Sequence, residues 1–156
     1  MALLNVSHDS LHFLDAPDGT LAHLTPDAAE ALANRFAAHL ATLRPTELFL
    51  PCRDDGSSEH VAAFRVTLRA LRLAGLRPRL LEYPVWARWS PRRLFLPWLL
   101  TRRVWRVAFP AGLAAKRAAI GAYVSQAEPT PPWPAPVLPP GFVACFATPE
   151  EFFFER

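Results

Sequence analysis

Lysine is almost missing from this chain. Of its 17 basic residues only Lys116 is a lysine, and the rest are arginines. Cysteine is scarce: Cys52 and Cys145 lie far apart, too few for a disulfide framework, so a cytoplasmic setting is expected. Long apolar runs are absent. No stretch reaches the roughly 18 uninterrupted apolar residues of a membrane span. The nearest candidate, "LFLPWLLTRRVWRVAF", is broken by Pro97, Arg102, Arg103 and Arg106. No charged segment followed by an apolar one opens the chain, so no signal peptide is expected. Acid is missing over a whole region: Tyr83 to Ala127 holds no Asp or Glu, but seven Arg and Lys116. There is no internal repeat, no H-x-x-H or H-E-x-x-H metal spacing and no recognised nucleic-acid motif.

What is present argues for a folded α/β domain. The 156 residues are half apolar, enough for one domain, 1–156, with a real core. Seven of the 17 prolines crowd into "EPTPPWPAPVLPPG", a proline-rich loop at 128–141 that reads as extended. The basic second half suits an anionic ligand, a membrane surface or nucleic acid. It suits equally well Arg stems lying on apolar surface with their heads in water. Residues 86–109, with four Trp and six Arg, are ambiguous in structure.

Along the chain, "LHFLDAPDG" reads as a short strand, Leu11–Leu14, ending in a turn at Pro17-Asp18-Gly19. "TPDAAEALANRFAAHLATLRP" reads as a helix. Thr25 is its N-cap, Pro26 its first residue, and Leu32, Phe36, Leu40 and Leu43 its apolar stripe. "ELFLP" is a short buried strand. "SEHVAAFRVTLRALRLAG" is a second helix, with Ser58 as cap and Gly75 as its C-terminal stop. "RPRLLEY" is the next strand, and a third helix runs from Leu113 to about Val124. "FVACFATPEEFFFE" closes the chain as a turn and a strand. Alternating strands and helices with short connections predict a mostly parallel sheet.

The stretch richest in chemistry is "LPCRDDGSSEH", Leu50–His60. It follows a strand and precedes a helix, where open α/β sheets gather ligands. His60 falls in the first helical turn, a few residues after Asp54 and Asp55. An imidazole there could bind a metal, and a carboxylate could orient it or act as a base. An ordinary polar turn accounts for the same residues, with Ser58 as cap, Glu59 on the helix dipole and Asp55-Gly56 as a turn. His39, on a helix, reads as solvated, and His12, in a strand, as packed.

Five segments, in order, resemble the PIG-L/LmbE-like zinc-dependent N-deacetylase family. They are "LHFLDAPDGTL", "LFLPCRDDGSSEHVAAFRVTLRAL", "PRLLEYPVWARW", "AKRAAIGAYVSQ" and "EEFFFER". The resemblance covers almost the whole chain. It implies a Rossmann-like three-layer domain that removes N-acetyl groups from N-acetylglucosamine-type conjugates with a zinc ion. His60 would be a zinc ligand, and Asp55 and Ser57 would hold the catalytic positions. Arg53, Glu82 and Trp86 would contact the substrate. Two departures go with it. No H-P-D-D-E motif occurs, so the family's first strand and two zinc ligands are missing. Ser57 stands where the family carries a histidine, and a hydroxyl cannot supply a proton as an imidazolium does.

The chain is therefore expected to be inactive or weak by itself, with zinc expected from the family but not necessarily bound here. A homo-oligomer or a complementing N-terminal half could supply what is missing, since a lost strand leaves an open sheet edge. An alternative is a non-catalytic member of the same fold that binds or assembles. In the deacetylase reading the Trp- and Arg-rich stretch 86–109 would line the substrate entrance; a third reading has it bind an anionic membrane or nucleic acid instead.

Overall fold

A computed structural model describes residues 4–90, 103–132 and 134–155. Half of the Trp- and Arg-rich stretch, residues 91–102, lies outside them. Helix α1 (Pro26–Leu43) begins as its sequence dictates: the Thr25 hydroxyl accepts from the Ala28 amide at 3.3 Å, and Pro26 opens the first turn. Leu32, Ala33, Ala37 and Leu40 are buried. Leu43, expected on the same stripe, is 60% exposed where the helix ends and Arg44 turns left-handed at φ 45°.

Strand β1 (Glu47–Pro51) leads through the polar loop into α2 (Ser58–Ala74), and β2 (Arg79–Tyr83) follows. The N-cap of α2 is Ser57, not Ser58: its hydroxyl accepts from the His60 amide at 3.4 Å. Gly75 closes the helix at φ 65°, a conformation glycine adopts without a Cβ penalty. Helix α3 (Trp86–Trp89) is one turn. Strand β3 (Arg103–Ala108), helices α4 (Leu113–Gly121) and α5 (Val124–Ala127), and strand β4 (Glu150–Glu155) complete the described elements. The expected third helix, Leu113 to about Val124, thus ends at Gly121, and a separate short helix starts at Val124.

No strand forms at Leu11–Leu14. Residues 11–17 are irregular, between 3₁₀ turns at His8–Ser10 and Leu21–His23. A strand needs a neighbouring strand for its amides; among the described residues no strand pairs with this run, and its Phe13 stays 79% exposed. His12 is accordingly exposed rather than packed in a strand, and His39 on α1 is half-buried rather than solvated. The turn after it does form: the Thr20 amide donates to Pro17 O at 3.3 Å, with Gly19 at φ 74°.

The sheet is open and mixed, in the order β1-β2-β4-β3. β1 and β2 run parallel, with Leu48 opposite Leu80 and Leu50 opposite Glu82. Helix α2 is the crossover that parallel pairing requires. β2 and β4 are antiparallel, with Glu82 opposite Phe154, so the expected mostly parallel arrangement is only partly present. β1 lies at one edge.

Helices α1 and α2 pack together through Ala37, Leu40, Ala70 and Leu71, and Leu48 and Leu80 of the strands join that core. Each buried leucine there contributes on the order of 1.5–3 kcal/mol. Arg69 of α2 grips Glu30 of α1 with two bonds, 2.8 and 2.5 Å. A second cluster joins Cys52, Phe154 and Val104. By its contacts the chain forms two compact units. One is Met1–His12 with Arg106–Glu151, and the other is Phe13–Trp105 with Phe152–Arg156. Every residue of the candidate site belongs to the second. No helix among the described residues is long and apolar enough to cross a membrane.

Candidate functional site

The loop after β1 folds back because its carboxylates find backbone partners. Asp55 is the centre, only 1% exposed. Its Oδ1 accepts from the amides of Val85 (2.7 Å) and Ala87 (3.0 Å), and its Oδ2 from that of Trp86 (3.1 Å). These are the unsatisfied amides at the start of α3, so a residue 30 positions upstream caps that helix. Gly56, at φ 80°, then turns the chain toward α2.

Asp55 Oδ2 also lies 2.5 Å from His60 Nδ1. Burial pushes the Asp55 carboxyl up. The His60 bond and the amides of Ala87, Val85 and Trp86 together outweigh this, leaving it below the usual carboxylate range. Asp55 is thus ionised at neutral pH and can only accept. The neutral imidazole therefore carries its proton on Nδ1 and presents the lone pair of Nε2. The His60 side chain is 25% exposed. Among the described residues nothing bonds to its Nε2.

Glu82, at the matching end of β2, is fully buried. It accepts from the Arg53 amide and from Arg53 Nη2, both at 3.3 Å. The Arg53 guanidinium also stands over the Phe64 ring, 5.6 Å from its centre. Its Nε is buried with no hydrogen-bond partner among the described residues, although the side chain as a whole is 35% exposed. Arg53 and Glu82, each named as a substrate contact, thus hold one another. Trp86 is placed beside the dyad by the hydrogen bond its backbone amide donates to Asp55. Ser57 is occupied as the cap of α2.

Glu59 does more than complement the helix dipole. Its two oxygens accept from the amides of Leu21 (3.0 Å) and Ala22 (2.9 Å), fixing the Leu21–His23 turn to the start of α2. The type of residue was legible as helix-favouring, but nothing in the sequence marks a partner 38 positions away. The same holds for the Asp55 cap of α3.

A catalytic zinc takes three protein ligands. Among the described residues no three His, Cys, Asp or Glu side chains come together to hold a metal ion. Asp55 has both oxygens engaged, and the Nε2 of His60 is a donor without two companions among the described residues. This donor set does not fit a zinc centre by itself. In the basic stretch, the described arginines have protein partners. Arg106 pairs with Glu150, Arg103 lies 3.6 Å from Glu155, and Arg88 stands over the Phe152 ring at 5.6 Å. No family model matches this chain, and neither does any curated protein or solved structure.

Proposed function

We propose that this chain is a Rossmann-like three-layer domain of the N-deacetylase type. It binds an N-acylated amino sugar conjugate at the carboxyl ends of β1 and β2. As it stands it hydrolyses that conjugate weakly or not at all. The observation that carries this is the Asp55–His60 contact. A buried, ionised carboxylate fixes the ring of a histidine whose side chain is 25% exposed, and among the described residues nothing bonds to its Nε2. Such a nitrogen accepts from a sugar hydroxyl or an acetamide N–H, and holds a proton when charged. Arg53 supports the reading: a modest shift of its guanidinium toward a substrate oxygen would satisfy the unpartnered Nε, whose isolation costs about 1–3 kcal/mol. The ordered resemblance supplies the substrate class, and zinc belongs to the reading only through that resemblance.

The single imidazole donor favours a second reading, a non-catalytic domain of the same fold that binds or assembles. One titration separates them. An N-acetylglucosamine conjugate is added to the full chain with and without zinc, while backbone amide shifts and acetate release are followed. Shifts at Arg53, His60 and Trp86 with acetate near background are expected. No shift at those residues would sink the substrate reading, and zinc-dependent turnover at ordinary enzyme rates would overturn the weak-hydrolase half.

A further inference from the structure

At the far end of α2, about 20 Å along the helix from His60, lies a cavity of ≈ 560 Å³. Leu68, Leu71, Leu76 and Leu80 line it, and Arg72 and Arg77 stand beside them. Its size is that of a small-molecule site, and apolar walls with a few charged groups are the usual composition of one. Both arginines are exposed. Among the described residues neither side chain has a hydrogen bond or an ion pair. The acids at this end of the strands, Glu47 and Glu155, are already bound to Arg79. The carbonyls closing α2 are also taken, by the amides of Gly75 (to Arg72 O, 3.2 Å) and Leu76 (to Leu71 O, 3.0 Å). The rim therefore offers two unneutralised guanidinium groups above leucine walls.

We infer that this cavity binds a single-chain anionic amphiphile, a long-chain carboxylate, with its tail against the leucines and its head between Arg72 and Arg77. Two features select that occupant. A bare phosphate would pair with the guanidinium groups but leave the leucine walls uncovered, and a sugar would lose hydration against those walls. The paired positive charge disfavours a cationic amphiphile, and planar guanidinium forks match a carboxylate. The site is separate from the Asp55–His60 dyad and does not depend on it.

The probe is laurate, kept below its micelle concentration and titrated into the full chain by calorimetry and amide shifts. Saturable binding of one laurate per chain is expected, with shifts at Leu76 and Arg77. The surface double variant Arg72→Gln/Arg77→Gln should weaken it about tenfold. Dodecyltrimethylammonium, with the same tail and the opposite charge, should bind at least about tenfold less well. Equal binding of the two amphiphiles would overturn the inference, and so would unchanged affinity in the double variant. Retention on anionic vesicles without binding of monomeric laurate would show a membrane-facing surface instead, and would also overturn it.

Discussion

Asp55 Oδ2 and His60 Nδ1 meet at 2.5 Å across the start of α2, and the same carboxylate holds three amides of the residues entering α3. One buried group therefore does two jobs. It caps a helix far along the chain, and it fixes the tautomer and ring angle of the histidine. Anything that removes it frees His60 and uncaps α3 together.

Asp55→Ala leaves three buried or half-buried amides without an acceptor. Each such loss costs about 1–3 kcal/mol, in part relieved by water, so a net cost of about 3 kcal/mol is expected. For a chain of this length that lowers Tm by roughly 6–12 °C. Thermal unfolding checks it; a loss under about 1 kcal/mol would show that the cap is not holding α3.

The same carboxylate sets an acid limit. Its pKa is depressed from an ordinary 3.8. A depressed carboxylate contributes stability above its unfolded pKa and loses it as pH falls through the folded one. Glu30, lowered by its bond to Arg69, and Glu155, lowered by Trp105 and then Arg79, act in the same direction. Denaturant unfolding should therefore change little between neutral pH and about pH 5 on account of these groups, and weaken below about pH 4. In Asp55→Ala the fall should be shallower; an identical slope would contradict the assignment.

Glu59→Ala should free the Leu21–His23 turn. Two charge-assisted bonds are lost, and hydrogen exchange at the Leu21 and Ala22 amides should quicken at least about tenfold. Amides within α1 should be little changed. Unaltered exchange at Leu21 and Ala22 would show that the clamp is not formed in solution.

Gly75→Ala tests the end of α2. The backbone there sits at φ 65°, and an added Cβ would touch nothing within 4 Å, so the cost is conformational alone. About 1 kcal/mol is expected, or roughly 2–4 °C in Tm. No change would mean that the helix end rearranges.

Local signals carried much of the fold. The Thr25-Pro26 start of α1, the "ELFLP" strand and the Gly75 stop each depend on neighbours within a few residues, and each formed, although the strand expected to be buried lies at the sheet edge with only Leu50 buried and Phe49 50% exposed. Leu11–Leu14 failed because a strand is completed by a partner, and its pattern of apolar residues names none. The sheet's mixed direction was hidden for a related reason. The parallel β1–β2 pair is set by its helical crossover, but the antiparallel placing of β4 beside β2 depends on a chain 70 residues later. In the candidate site, the loop and His60 were legible from type and position. The split of roles between Asp54 and Asp55 was not. Asp54 is exposed, and Asp55 is buried by amides from residues 85–87.

The account stands on how His60 is held, and its tautomer reads that directly. Long-range ¹H–¹⁵N correlation of the imidazole in the full chain, at a pH where the ring is neutral, distinguishes the two nitrogens. The proton should sit on Nδ1 and Nε2 should be bare, with that pattern lost in Asp55→Ala. A proton on Nε2, or a rapid mixture of both tautomers, would contradict the account.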